Sequence, residues 1–424
     1  MADIRSNFVG IKSPNPFWLA SAPPTDKEVN VVRAFKAGWG GVVWKTLGEN
    51  PPVVNVSSRY GALHLNDSRM VGFNNIELIS DRPLEINLQE IKKVKRDWPD
   101  RAMVVSLMVP CEEESWKRIL PLVEETGADG IELNFGCPHG MSERGMGSAV
   151  GQVPEYVEMV ARWCKQSTRM PVIVKLTPNV TDIRHPARAA KRGGADAVSL
   201  INTINSICSV DLDLMAPTPV VDGKGTHGGY CGPAVKPVAL NMTAEIARDA
   251  ETQGLPISAI GGIGNWRDAA EFMALGAGTA QVCTAAMHHG FKIVDDMISG
   301  LKNWMDEKGY ATIEDFRGRA VPNVTDWKFL NINFKSIAKI DQDKCIKCGL
   351  CHIACEDTSH QAIAANRLEG KRRYEVIDEE CVGCNLCSHV CPVPDCITMV
   401  SMETGKPYQN WTQDPRNPMR KAAE

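Results

Sequence analysis

The sequence of 424 residues has no run approaching the roughly 18 apolar residues needed to cross a bilayer. Its opening stretch, MADIRSNFVGIK, has no apolar segment of the kind that directs export. The expectation is therefore a chain that is neither membrane-spanning nor exported. Neither charge sign is in useful surplus: 47 basic against 51 acidic residues leave a formal net charge of −4, too little to recruit nucleic acid or an anionic membrane. No strand-like run carries the GxGxxG turn of a dinucleotide-binding sheet, so direct use of NAD(P)H is not expected. Cysteine, by contrast, is plentiful. Of the 15 cysteines, those from Cys345 onward are spaced as metal ligands rather than as a secreted disulfide framework, which points to a reducing compartment, the cytoplasm.

What is present first is a repeat of texture. Short apolar, β-branched runs recur at WLAS near Trp18, at Val42 to Thr46, Val104 to Met108, Ile131 to Phe135, Val172 to Leu176, Ala197 to Asn202, Ile257 to Gly262 and Ala280 to Thr284. Helical patterns separate them. Eight strand-then-helix units over about 300 residues match a (β/α)8 barrel. Glycines that stop a helix recur just before strands, as in Ala37-Gly38-Trp39-Gly40, Gly127-Ala128-Asp129-Gly130, Gly194-Ala195-Asp196 and Gly276-Ala277-Gly278. An open doubly wound sheet would alternate in the same way but would carry its glycine fingerprint. The barrel pattern ends after Leu301. The expected layout is a barrel over 1–310, a linker packed on it over 311–339, a small α+β two-cluster ferredoxin domain over 340–402, and a polar, extended tail over 403–424.

The ferredoxin domain announces itself through the pseudo-repeat IDQDKCIKCGLCHIAC and IDEECVGCNLCSHVC. Each copy contains C-x2-C-x2-C-x3-C, the bacterial pattern for two [4Fe-4S] clusters in which the fourth cysteine of one run ligates the other cluster. Cys345, Cys348, Cys351 and Cys391 are thus assigned to one cluster, and Cys381, Cys384, Cys387 and Cys355 to the second. Zinc would need two pairs of ligands per ion, which a tight run of three cysteines does not offer. Cys355 is followed by Glu356 where proline follows Cys391, and Cys396, outside both runs, reads as a buried apolar cysteine.

Barrels of this kind do their chemistry at the C-terminal ends of the strands. Polar residues close several runs there: Lys45-Thr46, Asn134-Phe135-Gly136-Cys137, Lys175-Leu176-Thr177 and Asn202-Thr203. One lysine at a strand end is ordinary, but two lysines and two asparagines at four ends suggest a shared anionic ligand. The last two strands end in Ile260-Gly261-Gly262 and Cys283-Thr284, and Gly232 lies in a glycine-rich loop, where bare N–H groups suit a phosphate. FMN fits this site better than a sugar phosphate, because iron-sulfur clusters need an electron partner.

The segments NFGCPHGMSERGMG, VKLTPNVTDI, INT, and AIGGI followed by QVCT resemble the flavin domain of dihydropyrimidine dehydrogenase, and the likeness runs on through the cluster domain in the same order. Its most specific part is CPHGM-x-ERGMG at Cys137 to Gly147, since dihydroorotate dehydrogenases usually carry CPN there. The resembled family is the pyrimidine-reducing subunit of bacterial NAD-dependent dihydropyrimidine dehydrogenases. The resemblance implies FMN held by Ser21, Lys45, Thr46, Lys175, Gly232, Gly261, Gly262, Cys283 and Thr284, and a pyrimidine bound by Asn75, Asn134, Asn202 and Thr203. Amide side chains suit the alternating N–H and C=O edge of a uracil ring. One departure is Gly136, where the family often has serine.

Reduction of a uracil 5,6 double bond needs a hydride at C6 and a proton at C5. Cys137 is the expected proton donor, with Cys208 and Cys231 as weaker rivals and with Cys111 and Cys164 read as small buried hydrophobes. Lys45 and Lys175 would stabilise developing negative charge. The glycine-rich loop from Cys137 to Gly147 is expected to close over substrate. Electrons are expected from a separate NADH-oxidising FAD and iron-sulfur flavoprotein, in a hetero-oligomer. Two competing readings are a dihydroorotate dehydrogenase, which would want another cation for the orotate carboxylate, and an electron-transfer subunit with no substrate of its own.

Overall fold

The eight apolar runs are buried on both faces, as parallel strands covered by helices must be. They are β1 (Phe17–Leu19), β2 (Gly41–Leu47), β3 (Ala102–Leu107), β4 (Gly130–Asn134), β5 (Val172–Lys175), β6 (Ala197–Leu200), β7 (Ile257–Ile260) and β8 (Ala277–Val282). They pair in sequence order, and β8 returns to β1 with Gln281 opposite Trp18, so the sheet closes into a barrel. The outer helices are α1 (Glu28–Ala37), α2 (Leu84–Asp97), α3 (Glu113–Glu124), α4 (Pro154–Ser167), α5 (Arg184–Arg192), α6 (Lys236–Arg248), α7 (Trp266–Ala274) and α8 (Ile293–Lys308). This computed structural model describes residues 2–49, 53–66, 69–368 and 370–422, and the chain divides into two units, Met1–Val324 and Thr325–Glu424. None of the helices in the described residues is long and apolar enough to cross a membrane.

The two ends of the barrel differ in chemistry. At the start of the strands the hairpin Ser6–Phe8/Ile11–Ser13 closes the barrel with apolar side chains: Phe8 meets Trp18 edge to face at 6.0 Å, within a cluster that includes Ile11, Val43 and Val104. At the other end, the loops after β2 and β6 carry a four-stranded antiparallel sheet, ordered Ile204–Ser206, Gly228–Cys231, Arg69–Asn75, Tyr60–Leu65. The open end of the barrel therefore gains a wall made of β-strands rather than of irregular loop.

In the second unit, Lys335–Ile340 pairs with Ile397–Met402 and Ile363–Leu368 pairs with Lys371–Val376, both antiparallel, while Leu350–Glu356 and Leu386–Val390 form two short helices. Glu356 lets the first helix run through Cys355. In the second copy the helix stops at Val390, ahead of Cys391-Pro392, since proline cannot donate a helical hydrogen bond.

Three features differ from the sequence expectation. α8 continues past Leu301 to Lys308 because Met305 is still buried against the barrel. The segment expected to link the domains is divided: Phe316 is buried with Trp304 and Tyr310 in the first unit, and the strand Lys335–Ile340 belongs to the second. The tail is not extended. Trp411 packs on Trp327 with ring centroids 6.1 Å apart, and Asn333 Nδ2 donates to Pro407 O at 2.8 Å, so its aromatic and amide side chains fold it back on residues 327–333.

Asn15 ties the entry of β1 to the α1–β2 turn, donating from Nδ2 to Gly38 O at 2.9 Å and accepting from Phe17 N–H at 3.1 Å. The turn needs Gly38, the left-handed cap of α1 at φ 113°, and it needs the bare Cα of Gly40, where a Cβ would stand 2.2 Å from Asn15 O. Gly40→Ala is expected to destabilise the barrel by about 1–3 kcal/mol, the usual range for overpacking. Calorimetry of the full chain should register this as a lowered barrel transition, and an unchanged one would refute the close approach.

Candidate active site and cluster sites

A cavity of about 810 Å³ opens at the C-terminal end of the strands, and the residues expected to hold flavin and pyrimidine line it together with Cys137. Ser21 follows β1. Lys45 and Thr46 end β2, Asn134 ends β4, Lys175 ends β5, and Asn202 and Thr203 follow β6. Asn75 comes from the antiparallel wall, where its Nδ2 donates to Gly229 O at 3.0 Å. Cys283 and Thr284 follow β8.

The polar groups are joined in one chain. Asn202 Nδ2 donates to Asn134 Oδ1 at 2.8 Å, Asn134 Nδ2 donates to Thr46 Oγ1 at 2.9 Å, and that hydroxyl lies 3.0 Å from Ser21 Oγ and 2.9 Å from Ser106 Oγ. Asn202 Oδ1 also accepts from Thr203 N–H at 2.8 Å. Each amide is thereby fixed in orientation, while one N–H of each has no partner among the described residues and is left for a ligand. The glycine at 136 has a steric reason here: a Cβ would lie 2.3 Å from the Cβ of Asn202, so in this chain Asn202 fills the space beside it.

The cations are held by carboxylates. Lys45 Nζ lies 2.5 Å from Glu77 Oε1 and 3.8 Å from Asp26 Oδ2, and Lys175 Nζ lies 3.4 Å from Glu132 Oε1. Glu77 is also met by Tyr60 and by Arg59. Burial raises the Asp26 carboxyl, with the Lys45 charge opposing it, and burial together with Glu77 raises the Tyr60 phenol. Lys236 faces the same cavity but is engaged by Asp268 at 2.6 Å and Glu271 at 2.9 Å.

A flavin mononucleotide needs an anion cradle beside a flat apolar slot. Gly261 and Gly262 adopt φ of 124° and 74°, and a Cβ on Gly262 would meet Lys236 N at 2.8 Å, so this turn presents bare backbone by necessity. Gly232 and the hydroxyl of Thr284 join it, and Ile201, Ile260 and Val235 supply apolar wall. Gln281 Oε1, buried and without a hydrogen-bond partner among the described residues, is an acceptor left for a ligand. These residues fit the group.

Cys137 heads the loop after β4. Its thiol donates to His139 O at 3.3 Å, and burial raises its pKa from an ordinary value near 9 to about 11. His139 is itself buried, which lowers its pKa and keeps it neutral, and its Nε2 is 3.0 Å from Glu77 O. Cys231 lines the cavity, accepts from Thr284 Oγ1 at 3.3 Å and donates to Phe73 O, with burial raising it to about 11. Cys208 lies between the strands Ile204–Ser206 and Ser209–Asp211 and does not line the cavity. Cys164 is core on α4, and Cys111 packs partly buried near Trp116.

Sequence reasoning did not single out Glu77, Glu132, His139 or Gln281. Glu132 and Gln281 carried a readable signal, a polar residue inside a run otherwise suited to burial on both faces, and His139 stood two residues after the chosen thiol. Glu77 had none, because only the course of the chain just past the wall strand Arg69–Asn75 brings it to Lys45.

In the second unit one cavity is lined by Cys345, Cys348, Cys351 and Cys391, and the other by Cys355, Cys381, Cys384 and Cys387. Cys355, on the first helix, and Cys391, just past the end of the second, change sides because those two helices pack on each other. Cys396 also lines the first cavity, buried beside Cys345 and Cys391.

A closed (β/α)8 barrel with an anion cradle and paired lysines at its mouth, joined to a unit that gathers two sets of four thiols, is the layout of a flavin and iron-sulfur oxidoreductase. The sequence pattern of dihydroorotate dehydrogenase matches residues 3–305, and that of a 4Fe-4S dicluster domain matches residues 338–399. The chain belongs to the dihydroorotate dehydrogenase family and carries a 4Fe-4S dicluster domain behind the barrel. It is 42% identical over 392 residues to the NAD-dependent dihydropyrimidine dehydrogenase subunit PreA of Escherichia coli (strain K12), covering 92% of this chain and 94% of that one. The chloroplastic dihydropyrimidine dehydrogenase (NADP(+)) of Arabidopsis thaliana is 40% identical over 76% of this chain and 78% of its own length. The catalytic subunit of dihydroorotate dehydrogenase B (NAD(+)) of Pyrococcus abyssi is 36% identical over 75% of this chain and 99% of its own. A crystal structure of the Eimeria tenella dihydroorotate dehydrogenase with ferulenol superposes with a TM-score of 0.61 at 20% identity, covering 74% of this chain and 88% of that one, a likeness of fold.

A thiol with a pKa of about 11 is almost entirely protonated at neutral pH. Alkylation of Cys137 by iodoacetamide, followed peptide by peptide with mass spectrometry, is expected to accelerate about tenfold per pH unit well past pH 9. A plateau near pH 9 would show an ordinary thiol instead.

Proposed function

We propose that this chain is the pyrimidine-reducing subunit of a dihydropyrimidine dehydrogenase, converting uracil or thymine to the 5,6-dihydro form with electrons delivered by an NADH-oxidising flavoprotein partner. The observation that carries the reading is a single cavity in which an anion cradle, two lysines, an ordered set of amides and a protonated thiol converge. The relative PreA, alike over barrel and cluster domain together, supports it. The cytoplasm, where the cluster thiols stay reduced, is the proposed setting.

FMN in this cavity would supply the hydride for C6 of the pyrimidine, fed by two [4Fe-4S] clusters held by Cys345, Cys348, Cys351 and Cys391 and by Cys381, Cys384, Cys387 and Cys355. Ser21, Thr46, Gly232, Gly261, Gly262, Cys283 and Thr284 would hold it, with Lys45 and Lys175 beside it. Asn75, Asn134, Asn202 and Thr203 orient the imide edge of the substrate. Amides match both its donors and its acceptors, and the chain of hydrogen bonds among them removes the entropy of searching for that match. Cys137 Sγ–H donates the proton to C5. Its environment keeps the proton on sulfur until a basic carbon forms beside it, which is what a general acid needs. Neutral His139 adds no positive charge that would turn the thiol into a thiolate.

Anaerobically prepared protein is expected to contain one FMN and eight irons per chain, to reoxidise on addition of uracil or thymine after chemical reduction, and not to turn over with NADH alone. Zinc in place of iron, or four irons, would sink the cluster assignment. Reoxidation by orotate but by no uncharged pyrimidine would move the chain to the dihydroorotate reading. Reduction without reoxidation by any pyrimidine would leave an electron-transfer subunit.

Cys137→Ala should retain FMN and lose roughly 10²- to 10⁴-fold in turnover, the usual contribution of a general acid, with the loss easing as pH falls. Cys208→Ala, outside the cavity, should match wild type. Full activity in Cys137→Ala would assign the acid elsewhere, with Cys231 the next thiol to change.

A further inference from the structure

Glu132 takes no part in the chemistry described above, yet it is the most deeply placed charge in the barrel. It sits in the middle of β4 with no exposed surface and does not line the cavity. Its Oε2 accepts from Ser199 Oγ on β6 at 2.8 Å and from Gln281 Nε2 on β8 at 3.1 Å. Its Oε1 accepts no hydrogen bond among the described residues and has Lys175 Nζ 3.4 Å away. Gln281 is fixed in turn by donating to Ser258 Oγ at 3.0 Å, and Ser258 accepts from Thr279 Oγ1 at 2.7 Å.

Three strands thus spend polar side chains on holding one carboxylate where an apolar residue would fill the barrel more cheaply. The beneficiary is Lys175, whose side chain is 6% exposed and whose ammonium has that carboxylate behind it and the cavity in front. The arrangement differs from that of Lys45, whose partner Glu77 itself lines the cavity and is shared with Tyr60 and Arg59. Glu132 reaches a bound ligand through Lys175, through Gln281, which it also holds and which lines the cavity, and through its own charge.

The structure assigns to Glu132 the role of a positioning residue: it anchors Lys175 at the cavity and, by offsetting the ammonium charge, sets the reduction potential of the flavin bound there. The sign follows from electrostatics. A net positive site favours the reduced flavin, which carries more negative charge, so the carboxylate holds the potential down and its removal raises it. Glu132→Gln keeps an acceptor for Ser199 and Gln281 and deletes only the charge. One charge a short distance behind the lysine, in surroundings of effective dielectric about 20, amounts to roughly a tenfold change in the two-electron reduction equilibrium, about 30 mV.

The inference rests on the flavin reading of the cavity, and anaerobic spectroelectrochemical titration of the full chain separates the two. Wild-type protein without flavin overturns both. Flavin bound at the wild-type potential in Glu132→Gln overturns this one alone. The expected result is a potential raised by about 30 mV in Glu132→Gln, the shift for that tenfold change, and raised by less in Glu132→Asp, which keeps the charge but withdraws it from Lys175. If Glu132→Gln fails to hold flavin, Glu132→Asp carries the test: an unchanged or lowered potential in it overturns the assignment, as does a shift equal to or larger than that of Glu132→Gln where both can be measured.

Discussion

An ammonium group inside a closed barrel must be met by a carboxylate or lose its proton, because an isolated ion in so dry a place is several kcal/mol less stable than in water. Lys45 and Lys175, at the ends of β2 and β5, obey this, and much of the surrounding architecture follows. Lys175 requires Glu132, Glu132 requires Ser199 and Gln281, and Gln281 requires Ser258, so a polar layer crosses a barrel interior that is otherwise apolar. Lys45 requires Glu77, which lies two residues past the wall strand that brings Asn75 and Phe73 to the cavity. The wall is therefore part of the electrostatics of the site and not only its cover. The opposite end of the barrel needs no such layer, and Phe8, Ile11 and Trp18 close it with hydrocarbon.

The second unit solves a different problem with the same economy of means. Three cysteines spaced by two residues are gathered by one loop, but no loop of that length wraps a cluster on its fourth side. Each loop turns into a short helix at a residue in the left-handed region, Gly349 at φ 84° in one copy and Asn385 at φ 67° in the other, types that tolerate this conformation best. The first helix carries Cys355, and the end of the second delivers Cys391, away from its own loop to the neighbouring cavity. The exchange makes the two cavities interdependent, since each is lined by three cysteines of one half of the repeat and one of the other.

The sequence is readable where a pattern of period or spacing is imposed by geometry alone. The eight strands and the glycine stops at Gly38, Gly127, Gly194 and Gly276, all with φ above zero, belong here, and the expected crossing of the cysteine sets agrees with the lining of the two cavities. So do the strand-end residues, because a barrel sends all its strand ends to one place. Ser21 and Asn75 were reached through family resemblance and not through spacing. What stayed hidden depends on pairing across long separations. Nothing near Glu77 indicates that it will meet Lys45, 32 residues away, or that Tyr60 and Arg59 will share it. The tail was misjudged because its polarity suggested solvent, whereas Trp411 had a partner in Trp327.

The thiol of Cys137 draws these strands together. Being buried costs its thiolate about 3 kcal/mol relative to an ordinary cysteine, the free-energy equivalent of a pKa raised from about 9 to about 11. For a nucleophile this environment would be a handicap. For an acid it has two consequences: the proton is present on essentially every molecule at neutral pH, and a thiolate left after donation is too unstable to persist and draws a proton back. His139 could reverse this by becoming charged, but its own burial keeps it neutral. Burial decides the shift, and the backbone hydrogen bonds from His139 and Met141 to the sulfur oppose it only in part. Burial of the thiol and burial of the imidazole two residues on thus act in the same sense, and the proposal that Cys137 is the proton donor rests on the two together.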